Sequence, residues 1–151
     1  MKEIKEIIAL LVLVVCTYTD IKERQIYLLP LLLGGVAAFS ISIIMCIQEP
    51  IEETMKSIFS WLIFPLLFGV FLVLLVALSK GQIGMGDGYL ALVLSLCLGV
   101  TKEIRTLCVS VILSGIFCIG LIFCNKDRMW KKIPFVPFLL VGLIVVIGIR
   151  I

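Results

Sequence analysis

The stretch IFSWLIFPLLFGVFLVLLVAL, residues 58–78, decides the fold class. It carries no charge from end to end, and at ~1.5 Å per residue a helix of this length crosses the ~30 Å hydrocarbon core of a bilayer. Upstream, Ile26 to Ile47 is a second run long enough to cross. QEPIEETMK joins the two, its acids Glu49, Glu52 and Glu53 reading as a loop in water. Four more apolar runs lie further out: Ile4 to Thr19, Tyr89 to Val100, Thr106 to Cys124 and Ile133 to Ile149. The first is short for a full crossing, and the fourth is too short unless it starts inside the membrane surface. The runs predict an all-α polytopic membrane bundle of about six transmembrane helices, with residues 1–151 forming a single membrane-embedded domain. Pro65, Pro134 and Pro137 are expected to bend or cap their helices, as transmembrane helices tolerate.

Composition agrees. The chain is 62% hydrophobic with 15% charged residues, where soluble domains are ~45–50% apolar. The charges fall in short clusters between the runs, leaving no room for a separate soluble domain. Lys2 and Lys5 precede an apolar core as they would in a signal peptide, but no small-residue cleavage site follows, so a retained helix is expected. There is no histidine, which removes Ser-His and Cys-His catalysis and the commonest metal ligand. The six cysteines, Cys16, Cys46, Cys97, Cys108, Cys118 and Cys124, form no C-x-x-C pair. They indicate neither a zinc site nor a disulfide framework and read as small apolar packing residues. No cofactor is called for, and no basic patch points to nucleic acid. Ser110 and Ser114 share a small-xxx-small spacing that fits packing inside the bundle.

Parity of the runs sorts the charges by side. Lys22, Arg24, Lys80, Lys126, Arg128, Lys131 and Lys132 fall on one side; Lys2, Lys5, Lys56, Lys102, Arg105 and Arg150 fall on the other. The totals barely differ, so the cluster KDRMWKK, residues 126–132, is what assigns the first side to the cytoplasm.

Two crossings separate Asp20, which ends the first run, from Asp87 in GMGDGYL, so both acids belong to that same face. Taken singly, Asp20 reads as an interfacial acid heading a charged loop and Asp87 as an N-cap of the fourth helix. Taken together they read as chemistry. Two carboxyls in contact do not both ionise readily, so one keeps a proton. The ionised one activates a water while the other polarises a peptide carbonyl, with no need for histidine or metal. Gly84, Gly86 and Gly88 leave room for a substrate backbone and permit unusual dihedrals around Asp87, so they are expected to form a substrate-positioning loop.

These residues resemble the type IV prepilin and preflagellin peptidases. GMGD, residues 84–87, matches the G-x-G-D motif of that family, and Asp20, followed six residues later by Ile26, matches its other aspartate. KKIPFVPFLLVG, residues 131–142, resembles its I-P-F-x-P-F segment through Ile133, Pro134, Phe135, Pro137 and Phe138. The resemblance covers nearly the whole chain. It implies an aspartic endopeptidase of the plasma (cytoplasmic) membrane whose catalytic residues are Asp20 and Asp87. Its partners would be the lipid bilayer and a pilin-like precursor with a basic leader and a hydrophobic helix. Tyr27 and Leu28 stand where the family often has Pro and Asn, and Tyr89 where it commonly has Lys. The zinc-motif insertion of bifunctional members has no counterpart here, so their N-methyltransferase activity is not carried over. Two other readings stand beside this one: a non-catalytic partner in pilus or secretion assembly, and an ion-path protein. The second would favour an acid midway along a span, and no run holds one.

Overall fold

A computed structural model describes residues 2–23, 27–48, 58–79, 84–124 and 135–149. Its elements are all helical, with no strand among the described residues: α1 (Lys2–Glu23), α2 (Leu28–Gln48), α3 (Phe59–Leu78), α4 (Met85–Leu98), α5 (Val100–Cys124) and α6 (Val136–Gly148). The all-helical expectation holds, and the six apolar runs are the six helices. Ile26, the acids of the 49–57 segment and the KDRMWKK cluster lie outside the described residues, as do Ile133 and Pro134.

α4 occupies the centre and touches α1, α2, α3 and α5, while α6 closes the bundle between α1 and α5. Gly88, Leu90, Ala91 and every residue from Val93 to Leu98 are buried. A helix enclosed by protein has no need to present a lipid-facing stripe, and it can be short. At 14 residues it rises about 21 Å, less than the bilayer core. α2, α3 and α5 are the helices long and apolar enough to cross a membrane, over Leu28–Ile47, Phe59–Leu78 and Val100–Gly120. Their outer faces expose Leu33, Val36, Phe71, Leu74, Ile112 and Ile116. In water such a surface would aggregate; in lipid it is the solvated face.

Several helix ends fall elsewhere than the sequence predicts: α1 runs on through Asp20 to Glu23, past Thr19. The fifth helix begins at Val100 rather than Thr106, because Gly99 turns the chain on its own at φ 75°. That conformation costs glycine little, and the expected loop at 101–105 is instead helical. The fourth helix begins at Met85 rather than Tyr89, so it takes in the whole GDG segment. The prolines behave as expected where they are described. Pro137 sits in the first turn of α6. Pro65 follows a π-helical opening turn, Phe59–Ile63, in which the Phe64 N–H reaches the Phe59 carbonyl. The ring at 65 offers no N–H and crowds the preceding turn, and widening that turn relieves the clash. The Pro65 carbonyl accepts the Ser95 hydroxyl of α4 at 2.9 Å.

Cys16, Cys46 and Cys97 pack in the interior as read from the sequence, whereas Cys108 is exposed and Cys118 half-buried. Ser110 is fully buried against Gly142 of α6, whereas Ser114 is half-buried and its hydroxyl donates to the Val111 carbonyl of its own helix, so Ser110 is the member that serves internal packing.

Candidate active site

Helical spacing explains why Asp20 points inward. Ala9, Val12, Leu13 and Cys16 form the buried stripe of α1, and Asp20 continues it one turn beyond Cys16. Asp87 is the third residue of α4, and Gly84 holds the cap position with no side-chain cap bond. Asp87 is therefore no N-cap; it stands inside the first turn, on the central helix. Both carboxyls are half-buried. Both lie outside the apolar runs, Asp20 just after Thr19 and Asp87 just before Tyr89.

Asp20 lies near enough to Asp87 for its charge to be felt there. Burial raises the Asp87 pKa to about 6, and the neighbouring charge of Asp20 adds to the rise. Burial also raises that of Asp20, opposed by a hydrogen bond from the backbone N–H of Val136 to Asp20 Oδ2 at 3.3 Å. Among the described residues the Asp87 carboxyl accepts no hydrogen bond.

The glycines divide. Gly84 is exposed, and a Cβ there would meet Asp87 Oδ2 at 3.5 Å, so its absence keeps one flank of that carboxyl bare. Gly86 and Gly88 are helical rather than part of a loop. Gly88 is buried where α4 crosses α3, so close that a Cβ would stand 3.3 Å from the Val76 side chain. Unusual dihedrals are not found here: Gly84 is ordinary extended backbone, and Gly99 is the positive-φ glycine among the described residues. Tyr27 is exposed, its hydroxyl donating to Glu23 Oε2, and Tyr89 is also exposed. Phe138 stacks at a tilt on Phe117, ring centroids 5.3 Å apart, which ties the start of α6 to α5.

Two buried charges escaped the sequence reading, both toward the opposite ends of their helices. Lys5 is 2% exposed; it donates to Ser42 Oγ at 2.7 Å and to the Leu96 carbonyl at 3.4 Å, and it lies over the Trp61 ring. Glu103 is 1% exposed, with neither carboxyl oxygen hydrogen-bonded. The signal for Lys5 was present, since it stands one turn before Ala9 on the same stripe that carries Asp20. Glu103 was hidden by the loop expected at 101–105.

The profile of the type IV leader peptidase family matches residues 7–123. The chain belongs to that family. The match takes in both aspartates and the GMGD segment and ends before α6 begins. No curated protein and no solved structure matches the chain. As a leader peptidase family member with three helices fit to cross a bilayer, it is a membrane protein of a protease family.

Proposed function

We propose that this chain is an aspartic endopeptidase that removes the leader of pilin-like precursors at the cytoplasmic face of the plasma membrane, with Asp20 and Asp87 as its catalytic pair. The observation that supports the reading is that two half-buried aspartates, from α1 and α4, both lie inside the family-matched region, with the charge of Asp20 felt at Asp87. An Asp87 pKa near 6 beside an ionised neighbour is the condition for a pair that shares one proton near neutral pH. One carboxylate draws a proton from water while the other protonates the scissile carbonyl.

The substrate has a short basic leader and an apolar helix. That helix would lie against the lipid-facing surface, and the scissile segment would unwind beside the exposed Gly84 and the open flank of Asp87. Unwinding is required because a helical peptide bond is shielded by its own hydrogen bonding.

Co-expression with pilin-like precursors tests the reading. Wild-type protein should shorten a precursor by its leader, and Asp20→Asn and Asp87→Asn should each leave it full length while remaining inserted in the membrane. Cleavage of a precursor by either variant at the wild-type rate would remove the pair from catalysis. A wild type that cleaves none would favour the non-catalytic assembly partner.

A further inference from the structure

We propose that the start of α6 sets the division of labour in the pair: the Val136 N–H holds Asp20 as the water-activating carboxylate, and Asp87 is the member that carries the proton. The inference rests on the peptidase reading above and goes beyond it, since a matched pair of aspartates leaves the two roles interchangeable.

Three observations separate the two acids. Asp20 Oδ2 accepts the N–H of Val136, the first residue of α6, at 3.3 Å. The first N–H groups of a helix have no partner within it, so Asp20 caps α6 from a distant part of the chain. A hydrogen bond donated to a carboxylate favours its charged form. Asp87, in contrast, accepts no hydrogen bond among the described residues. The N-terminus of its own helix favours an anion there too, and the last turn of α1 disfavours one at Asp20, but the field of a dipole is weaker than the directed bond that α6 gives Asp20. Finally, the charge of Asp20 makes ionisation of Asp87 harder, so an Asp20 that ionises first gives Asp87 a further reason to stay protonated.

Among the described residues, few charges lie on the elements around the pair; Arg24, Lys80 and the 126–132 cluster lie outside them. α2, α3 and α6 carry no charged residue, and the charges of α5, Lys102, Glu103 and Arg105, lie at its opposite end. On α1, Lys22 is over the Tyr18 ring and Glu23 is bonded to Tyr27. Cys16, buried one turn before Asp20 on the same stripe of α1, carries no formal charge.

The proton inventory then closes. Asp20 takes a proton from water as the water oxygen bonds to the scissile carbon, and Asp87 gives its proton to the carbonyl oxygen, leaving a gem-diol. Asp20 next delivers its proton to the departing nitrogen as the C–N bond breaks, and Asp87 regains one from a gem-diol hydroxyl. The pair ends as it began, with water divided between the new acid and the new amine. Val136 is a positioning residue in this scheme, acting through Asp20.

The chain has three aspartates, Asp20, Asp87 and Asp127, so carboxyl-13C aspartate labelling of the full-length protein in nanodiscs yields three signals. Asp20→Asn, Asp87→Asn and Asp127→Asn assign them. As pH rises, the Asp20 carbon is expected to move first and the Asp87 carbon second, with the later step near pH 6. Val136→Pro deletes the N–H at the first position of α6, where no bond within the helix is lost, and shifts Phe135 out of its helical backbone conformation. It should move the Asp20 step to higher pH and lower kcat at least tenfold with KM little changed. Asp87 titrating before Asp20 in the wild type overturns the assignment, and that result needs no variant to fold. A folded Val136→Pro with an unmoved Asp20 step overturns the part played by α6. Loss of the peptidase reading would look different: no precursor cleaved, whatever the titration order.

Discussion

Asp87 is costly where it stands, and its surroundings account for the cost. Enclosure among apolar residues of the central helix and the neighbouring charge of Asp20 lift its pKa to about 6. A carboxyl with a raised pKa holds its proton below that value and loses it as pH climbs through it. If the protonated Asp87 is needed, kcat/KM for precursor cleavage should therefore fall on the alkaline side with a midpoint near pH 6 in the free enzyme, as a pH series on purified protein would show. A profile flat from pH 5 to 8 would dissociate Asp87 from the rate. Each of Asp20→Asn and Asp87→Asn should cost about 10²–10⁴-fold in rate, the usual share of general acid–base catalysis. Asn caps helices about as well as Asp, so mere capping would leave activity intact. Asp127→Asn is the control and should behave as wild type. Both aspartates were legible in the sequence because their residue type is improbable at the edge of an apolar run. The Val136 contact was not, because it is made by a backbone N–H, and no side-chain letter records which amide a fold aims at a carboxylate.

At the scale of helices, the crossings are set by residues without side chains. A Cβ at Gly69 would sit 2.6 Å from Ser95 Oγ and 2.9 Å from the Leu92 backbone, where α3 meets α4. Gly115 on α5 has nothing within 4 Å. Gly69→Leu should therefore destabilise the bundle by about 1–3 kcal/mol and displace α4, which carries Asp87, so activity falls along with it. Gly115→Leu should be nearly silent. Thermal melting in detergent, read alongside cleavage, checks both, and equal melting temperatures for the two variants would contradict the packing account. The existence of the helices could be read from runs of apolar letters, since only a bilayer rewards residues 58–78 as they stand. Their ends could not. Met85, Gly86, Asp87 and Gly88 form a helical turn despite poor intrinsic propensity, because burial of Gly88 against Val76 and Val73 outweighs it. Likewise Lys102, Glu103 and Arg105 look like a loop by charge alone, yet a one-residue reversal at Gly99 makes them the first turns of α5.

The whole molecule poses a question of orientation. Basic residues are nearly balanced between the two sides, so the proposal that the aspartates face the cytoplasm leans on the KDRMWKK cluster and on the family. In a variant stripped of native cysteines, Arg128→Cys should be shielded from an impermeant thiol reagent in intact cells, and Glu53→Cys should react. The opposite pattern would place the aspartate face outside. Beneath orientation lies the claim on which the rest depends, that two acids from α1 and α4 form one hydrolytic site. Its most direct test is reconstitution of the purified full chain in liposomes with a purified pilin-like precursor, followed by mass spectrometry of both products. The account predicts hydrolysis of one bond, yielding the basic leader and a mature chain that begins just before the apolar helix, and neither product with Asp20→Asn or Asp87→Asn. Undiminished release of the leader by either variant would contradict it.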